Sequence, residues 1–180
     1  MTKLPTAEQL KRLPLRAVAA FAARAARRVA RELRGAIDEE LMERALSSIE
    51  SVASSERLDR LDAASACLLG SRLAGAAAAL KTPKQRLSAL PVLSGIRAAY
   101  AVLQSAAEPE RAEYYAAYAA RAAERAARAA DVLDEPVALA ATNAAGADYE
   151  MLLRTYGENS AVVLGEPVDL SDRPLLETLV

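Results

Sequence analysis

Alanine runs through most of the chain, and it limits the possible fold more than any other feature of the sequence. The two longest alanine-rich stretches are RAVAAFAARAARRVARELR (16–34) and EYYAAYAARAAERAARAA (113–130). Alanine is the best helix former and a poor strand former, and its small side chain lets neighbouring helices approach closely. No stretch has the apolar and polar alternation of a strand. The sequence therefore predicts an all-α protein with tightly packed helices.

Prolines and capping residues predict where the helices begin. Thr6 with Gln9 has the spacing of a capping box, and Asp38 precedes a segment with apolar residues at helical intervals. After a short first helix, further helices are predicted over about 14–34, 39–54, 57–80, 83–90, 92–106, 109–133 and 136–156. We expect one domain, residues 1–157, built as a compact antiparallel bundle of five to seven helices.

Residues 158–180 have no helical period and contain one glycine and two prolines, and Gly157 directly precedes them. They predict an extended C-terminal tail that is either packed on the bundle or flexible beside it. The apolar residues that would anchor a packed tail are Val162, Val163, Leu164, Val168 and Leu170.

Charge is distributed unevenly, although the formal net charge of the 180-residue chain is −1. Residues 1–35 contain nine Lys/Arg and two Asp/Glu, whereas residues 36–62 contain eight Asp/Glu and three Arg. Neighbouring segments of opposite charge predict an antiparallel helix pair whose charges meet within the molecule. The low net charge gives no overall field that would attract nucleic acid or an anionic membrane.

The six arginines of residues 16–34 lie on one side of a helix, within about a third of its circumference. This pattern is typical of a helix on the wall of a bundle, with an apolar stripe inside and a basic face outside. The alternatives are a face that binds an anion or a partner, a membrane-surface helix and an import presequence. The arginines predicted to contact a partner are Arg24, Arg27, Arg28 and Arg31.

A second candidate surface lies in residues 113–130. Tyr118 follows Tyr114 by four positions and Tyr115 by three, which places the three rings close together on a helix. Tyr and Arg contribute strongly to binding energy at protein interfaces, so that Tyr114, Tyr115 and Tyr118 are predicted partner contacts. The simpler interpretation is a rim of rings over a core of small side chains.

Two further features of the same helix concern its stability and self-association. Arg121 with Glu124, and Glu124 with Arg128, have the spacings of helix-stabilising ion pairs. Alanines at regular intervals permit close association with a second copy of the chain; they are Ala112, Ala116, Ala119, Ala123, Ala126 and Ala130.

Residue types that support catalysis or metal binding are scarce. The chain has no histidine, and Cys67 is its single cysteine. A thiol nucleophile usually needs a histidine base, so that Cys67 is expected to be a small core residue in a reducing cytoplasm. An enzyme would instead need a buried carboxylate, and none is evident at a core position. We expect no catalytic residue, no cofactor, no metal and no transmembrane helix.

Three segments, LPLRAVAAFAARAARRV, AAYAARAAERAARAAD and ADYEMLLRTYGENS, resemble alanine-rich, all-helical bacterial immunity proteins. The resemblance implies a small cytoplasmic binder that masks a toxin or effector protein, and it carries over no catalytic residue. The sequence thus favours a non-enzymatic protein-binding module. Two alternatives stay open: a homo-oligomer such as a homodimer, and a weak nucleic-acid binder that uses the arginine-rich helix. Nucleic acid is disfavoured because aromatic residues do not interleave with the basic ones.

Overall fold

The computed structural model describes residues 3–58, 63–128, 135–157 and 163–170. Within these residues lie the α-helices α1 (Ala7–Leu10), α2 (Leu15–Ala30), α3 (Glu39–Ser54), α4 (Ala63–Ala78), α5 (Pro83–Ser88), α6 (Leu90–Ala107), α7 (Ala112–Arg128) and α8 (Glu135–Tyr156). Only Ala89 separates α5 from α6, so that the described residues form seven helical rods. The prediction of an all-α bundle of five to seven helices is confirmed.

Two helices, α2 and α6, pack against each other at the centre of the bundle. Both α3 and α7 contact each of these central helices, while α4 packs on α6 and α3. The remaining helices are peripheral, because α8 lies mainly against α2 and the short α1 lies against α7. Short connections follow α2 and α6, and each of these helices therefore has its successor as an antiparallel neighbour.

Small side chains allow the central helices to approach closely. At Gly95 of α6, an added Cβ atom would lie 2.8 Å from Ile49 Cδ1 of α3 and 3.4 Å from Ala26 Cβ of α2. Non-bonded carbon atoms are most favourable at about 3.5–4.0 Å, so that a side chain at this position would require the end of the Ile49 side chain to shift. Glycine therefore permits the contact of α2, α3 and α6.

The position of α2 differs from the prediction of an outer wall. Leu15, Val18 and Phe21 face the core as expected, but every alanine of α2 is buried as well. Four helices surround α2, namely α3, α6, α7 and α8. Alanine explains the difference, because a methyl group can pack against a neighbouring helix on any side.

Local capping signals predict the helix ends well. The capping box of Thr6 and Gln9 is present at α1, and the carboxylate of Asp38 accepts a hydrogen bond from the Leu41 N–H at the start of α3. Thr82 caps α5 with a second capping box. The predicted bounds of α3, residues 39–54, are confirmed. The residues that start and end this helix lie next to its ends in sequence.

The C-terminal tail packs on the bundle where the structure describes it. The N–H groups of Leu15 and Arg16, which open α2, donate to the carbonyl oxygens of Val163 (2.9 Å) and Leu164 (3.0 Å). The first N–H groups of a helix have no partner within the helix, and Pro14 at the N-cap has no side-chain hydrogen bond to offer them. Tail carbonyls therefore cap the central helix.

Further along, the tail contacts α3. The Val168 side chain is buried, and its N–H donates to the Ala53 carbonyl at 2.9 Å. Gly165 has φ +78° and rests on Pro14, where an added Cβ atom would lie 2.5 Å from the proline Cβ. Residues 163–170 thus lie on the bundle, with the predicted anchor Val168 buried and the predicted anchor Val163 41% exposed, and the predicted anchor Val162 lies outside the described residues.

The outer helix α4 is more exposed than its apolar composition predicts. Its inner face consists of Ala66, Leu73 and Ala77, which are buried. Leu68 is 63% exposed, and Cys67 is exposed rather than in the core. The prediction for Cys67 is wrong because α4 packs through one narrow face, and small apolar residues on its other side stay in solvent.

One helical stretch, Pro83–Ala107, is long and apolar enough to cross a membrane by length and composition alone, whereas the sequence analysis expects none. It comprises α5 and α6, and 67% of its most apolar window is buried inside the bundle. Packing at the centre of the bundle thus accounts for its apolar composition.

Candidate functional site

Arg24 and Arg28 of α2 lie inside the protein and share one carboxylate. Arg24 Nη1 is 3.1 Å from Asp148 Oδ1, and Arg28 Nη2 contacts Asp148 Oδ2. Asp148 belongs to α8 and is 2% exposed. Little of either side chain is left for a partner to contact, since Arg24 is 11% exposed and Arg28 is 5% exposed. We therefore remove Arg24 and Arg28 from the candidate partner-binding surface and assign them to helix packing.

Asp148 is a buried carboxylate that the sequence analysis missed. Its spacing from Ala141, Ala145 and Leu152 is that of one helix face, and all three are buried. This helical spacing was the feature of the sequence from which the burial of Asp148 could have been predicted. The cavity that Arg28 and Ala145 line measures about 10 Å³, which is room for at most one water molecule. Asp148 therefore joins α8 to α2 through its two arginine contacts.

Arg27 confirms the predicted pairing of the basic segment with the acidic one. Its guanidinium donates to Glu50 Oε1 and Oε2 at 3.0 and 2.9 Å, and to Glu43 Oε1 and Oε2 at 3.0 Å each. Burial alone would lower the pKa of Arg27, but hydrogen bonds and the charges of Glu50 and Glu43 outweigh it and raise that pKa. The side chain thus joins α2 to α3.

The arginines near the two ends of α2 differ in exposure. Arg16 is 4% exposed, and its Nη2 donates to the Glu56 carbonyl at 3.3 Å. Burial lowers the pKa of Arg16. Arg31, the fourth predicted contact on α2, is exposed and lines a pocket of about 670 Å³ with Arg34, between α2 and α3. The predicted basic face is therefore not a continuous surface.

The three predicted tyrosines meet on the surface of the bundle, and α6 adds a fourth. We call this site the tyrosine cleft; it is open, measures about 620 Å³ and is lined by Tyr100, Arg111, Tyr114, Tyr115 and Tyr118. Tyr114 is 66% exposed and Tyr118 is 39% exposed. Sequence reasoning missed Tyr100 because it belongs to another helix.

Contacts within the cleft fix one of its walls. The Tyr114 and Tyr115 rings meet edge to face, with centroids 5.3 Å apart. The Tyr115 hydroxyl donates to Glu108 Oε2 at 3.4 Å, and Arg111 Nη1 lies 3.5 Å from the same oxygen. Tyr115 is therefore held in place, while Tyr114 projects into solvent. Such rings offer apolar area together with hydroxyl groups for hydrogen bonding.

Arginines extend the cleft along the outer face of α7, which we define as Tyr114, Tyr118, Arg121 and Arg125. These residues follow one another at intervals of four, three and four, and they therefore share one side of the helix. Both arginines are exposed, and neither forms an ion pair with another described residue. On this face the two tyrosines lie next to the two arginines along the helix, so that aromatic and basic residues are adjacent but do not alternate.

Glu124 does not neutralise Arg121 as predicted. Its Oε1 lies 2.7 Å from Arg128 Nη2, which confirms the other predicted ion pair. Its Oε2 accepts the Ala7 N–H at 3.1 Å, at the start of α1. The carboxylate is thus used by the end of α7 and by α1, and this tertiary contact explains why the predicted Arg121–Glu124 pair does not form.

The alanine seam that the sequence offers for self-association lies inside the bundle. Ala119, Ala123 and Ala126 are buried completely, and Ala112 and Ala116 are half-buried. Ala130 lies outside the described residues. Since α2 and α6 pack on α7, the buried part of the seam is used within one chain.

Among the described residues, no group of three or more Asp, Glu or Cys side chains could hold a metal ion. No known protein family matches the chain, and no curated protein or solved structure is significantly similar to it. The resemblance to immunity proteins stays a prediction. Among the described surfaces of the bundle, the tyrosine cleft has the most distinctive chemistry.

Proposed function

We propose that this protein is a non-enzymatic helical binding module that masks a protein partner through the tyrosine cleft. The observation that carries the proposal is the exposure of Tyr114 and Tyr118 beside an open cleft, in a protein whose other apolar side chains mostly pack into a core. Large aromatic rings kept in water have a physical reason to be there if a partner covers them.

The composition of the cleft supports a protein partner. Tyrosine and arginine are enriched among the residues that carry most of the binding energy at interfaces. Tyr115 is already held by Glu108 and by the Tyr114 ring, so that binding would cost little side-chain entropy there. The proposal includes an immunity-like role, in which the module covers a toxin or effector, and the sequence resemblance supports that part.

Affinity capture from the native host tests the proposal. We expect the immobilised wild-type chain to capture a partner and the Tyr114→Ala/Tyr118→Ala variant to lose it, with helicity unchanged by circular dichroism. Tyr115→Phe keeps the ring and removes the hydroxyl, and we expect it to reduce capture only partly.

Leu139→Ala is the matched control, because it removes an exposed apolar side chain from another helix. Capture should be the same for this variant as for wild type. Equal capture by the double tyrosine variant would overturn the proposal, since the cleft would then not be the contact surface.

Self-association is a second candidate function, and α4 is the observation that favours it. Its outer side leaves Leu68 and Cys67 exposed, whereas the seam on α7 is occupied within the chain. Light scattering at high concentration would detect a homodimer, and Leu68→Arg should return it to a monomer. A monomer at all concentrations would exclude this function.

A further inference from the structure

The outer face of α7 carries two positive charges that no ion pair with another described residue compensates. Arg121 and Arg125 are one helical turn apart, and like charges at this spacing destabilise a helix by about 0.2–0.5 kcal/mol. Glu124 lies between them in sequence but points to Arg128 and α1. The pair therefore has a small energetic cost in the isolated protein, and a nearby negative charge would remove it.

These charges continue the line of the tyrosines. From Tyr114 to Arg125 the outer face spans about 16 Å along the helix axis, at about 1.5 Å per residue. Tyr118 stands between the exposed ring of Tyr114 and the first of the two arginines. One binding partner of ordinary interface size could cover both rings and both guanidinium groups.

We propose that the partner of the outer face of α7 is an acidic protein surface, with carboxylates that pair with Arg121 and Arg125 while an apolar centre covers Tyr114 and Tyr118. This inference rests on the proposed function and names the chemistry of its partner. Guanidinium groups bind carboxylates in a bidentate geometry that gives both strength and orientation. Electrostatic attraction would also speed the encounter.

A compact acidic patch fits this face better than a nucleic acid strand does. The groove next to Tyr114 is lined by Glu110 and Glu113 together with Lys11 and Arg111, so that it offers an extended polyanion no net positive charge at that end. The ring of Tyr115 also occupies one edge of Tyr114, which leaves less room for a stacked base. Nucleic acid is accordingly an outcome of the test and not the expectation.

Fluorescence anisotropy with defined probes tests the inference. The probes are a labelled dodecapeptide of Asp, Glu and Leu, its Asn, Gln and Leu counterpart, and labelled oligouridine. We expect the acidic peptide to bind the whole chain about tenfold more tightly than its amide counterpart, with an affinity that falls as salt rises. Arg121→Gln/Arg125→Gln should reduce that affinity about tenfold, and the double lysine variant should retain part of it.

Arg34→Gln/Arg72→Gln is the matched control, because it removes two exposed charges that lie outside α7, one in the connection after α2 and one on α4. This variant should bind the acidic peptide like wild type. Equal weakening by both double variants, or tighter binding of oligouridine than of the acidic peptide, would overturn the inference.

Host-partner capture separates this inference from the proposed function. Capture that is lost in Tyr114→Ala/Tyr118→Ala but unchanged in Arg121→Gln/Arg125→Gln would overturn the acidic partner and leave the proposed function standing. Capture that survives both double variants would overturn the proposed function itself.

Discussion

The helices α2 and α7 both consist largely of alanine and arginine, yet their arginines lie in opposite environments. In α2, Arg24 and Arg28 are turned inwards onto Asp148, and Arg27 is held by α3. In α7, Arg121 and Arg125 point outwards beside exposed tyrosine rings. Location within the bundle, rather than composition, therefore decides whether an arginine supports the fold or is available to a partner.

The largest expected effect is on the buried side of this comparison. Asp148→Asn removes the negative charge that Arg24 and Arg28 both contact, and we expect it to lower the free energy of unfolding by about 3–5 kcal/mol. Chemical denaturation measures the change. Glu150→Gln, an exposed position on the same helix, is the control and should be neutral within about 0.5 kcal/mol. A cost below about 1 kcal/mol for Asp148→Asn would mean that the cluster is solvated.

The tail supports α2 and gives the second prediction. Gly165→Ala combines a backbone with φ +78° and a Cβ atom against Pro14, and we expect a cost of about 2–4 kcal/mol. Gly35→Ala shares the positive φ but meets no atom within 4 Å, so that its cost should be about 1–2 kcal/mol. The difference between the two unfolding free energies isolates the crowding at Pro14. Equal costs would show that the tail readily shifts away.

Arg27 is half-buried, and its exposure lies between that of the buried arginines of α2 and that of the exposed arginines of α7. Arg27→Gln should cost about 1 kcal/mol, because its carboxylate partners are partly solvated. Glu50→Gln should cost more than Glu43→Gln, since the Glu50 side chain is 19% exposed and that of Glu43 is 60% exposed. A double-mutant cycle of Arg27 with each glutamate measures the coupling. A larger coupling to Glu43 than to Glu50 would contradict this order.

The smallest effect has the opposite sign. Arg121→Gln relieves repulsion with Arg125 and should leave the free energy of unfolding unchanged or raise it by up to about 0.5 kcal/mol. Because the charges are exposed, any gain should disappear at high salt. Thermal unfolding at two salt concentrations is the measurement. A decrease of more than about 1 kcal/mol in the free energy of unfolding would show that Arg121 stabilises the fold, as the arginines of α2 do.

Sequence reasoning succeeds where the causes are local. The caps at Thr6 and Asp38 depend on residues within one helical turn, and both are observed. The pairing of Arg27 with α3 was also accessible, because oppositely charged segments lie next to each other in the chain. Helix class, most helix starts and this one ion-paired interface could therefore be predicted.

Contacts between distant segments could not be predicted in the same way. Arg24 and Asp148 are 124 positions apart, and an alanine-rich helix does not reveal which of its sides will be covered. Tyr100 joins the tyrosine cleft from a second helix for the same reason. The direction of Glu124 depends on where α1 happens to pack. These features follow from the tertiary arrangement, which a helical wheel does not contain.

The capping of α2 by residues 163 and 164 has a consequence for biosynthesis. The carbonyl groups that complete the first turn of the central helix are made much later than the helix itself, because Val163 follows Leu15 by 148 positions. At roughly 5–20 residues per second, the ribosome needs on the order of ten seconds or more to reach them. Until then the first turn of α2 in a nascent chain lacks its capping carbonyl groups. A product truncated before residue 163 would therefore be more open to proteases at this turn.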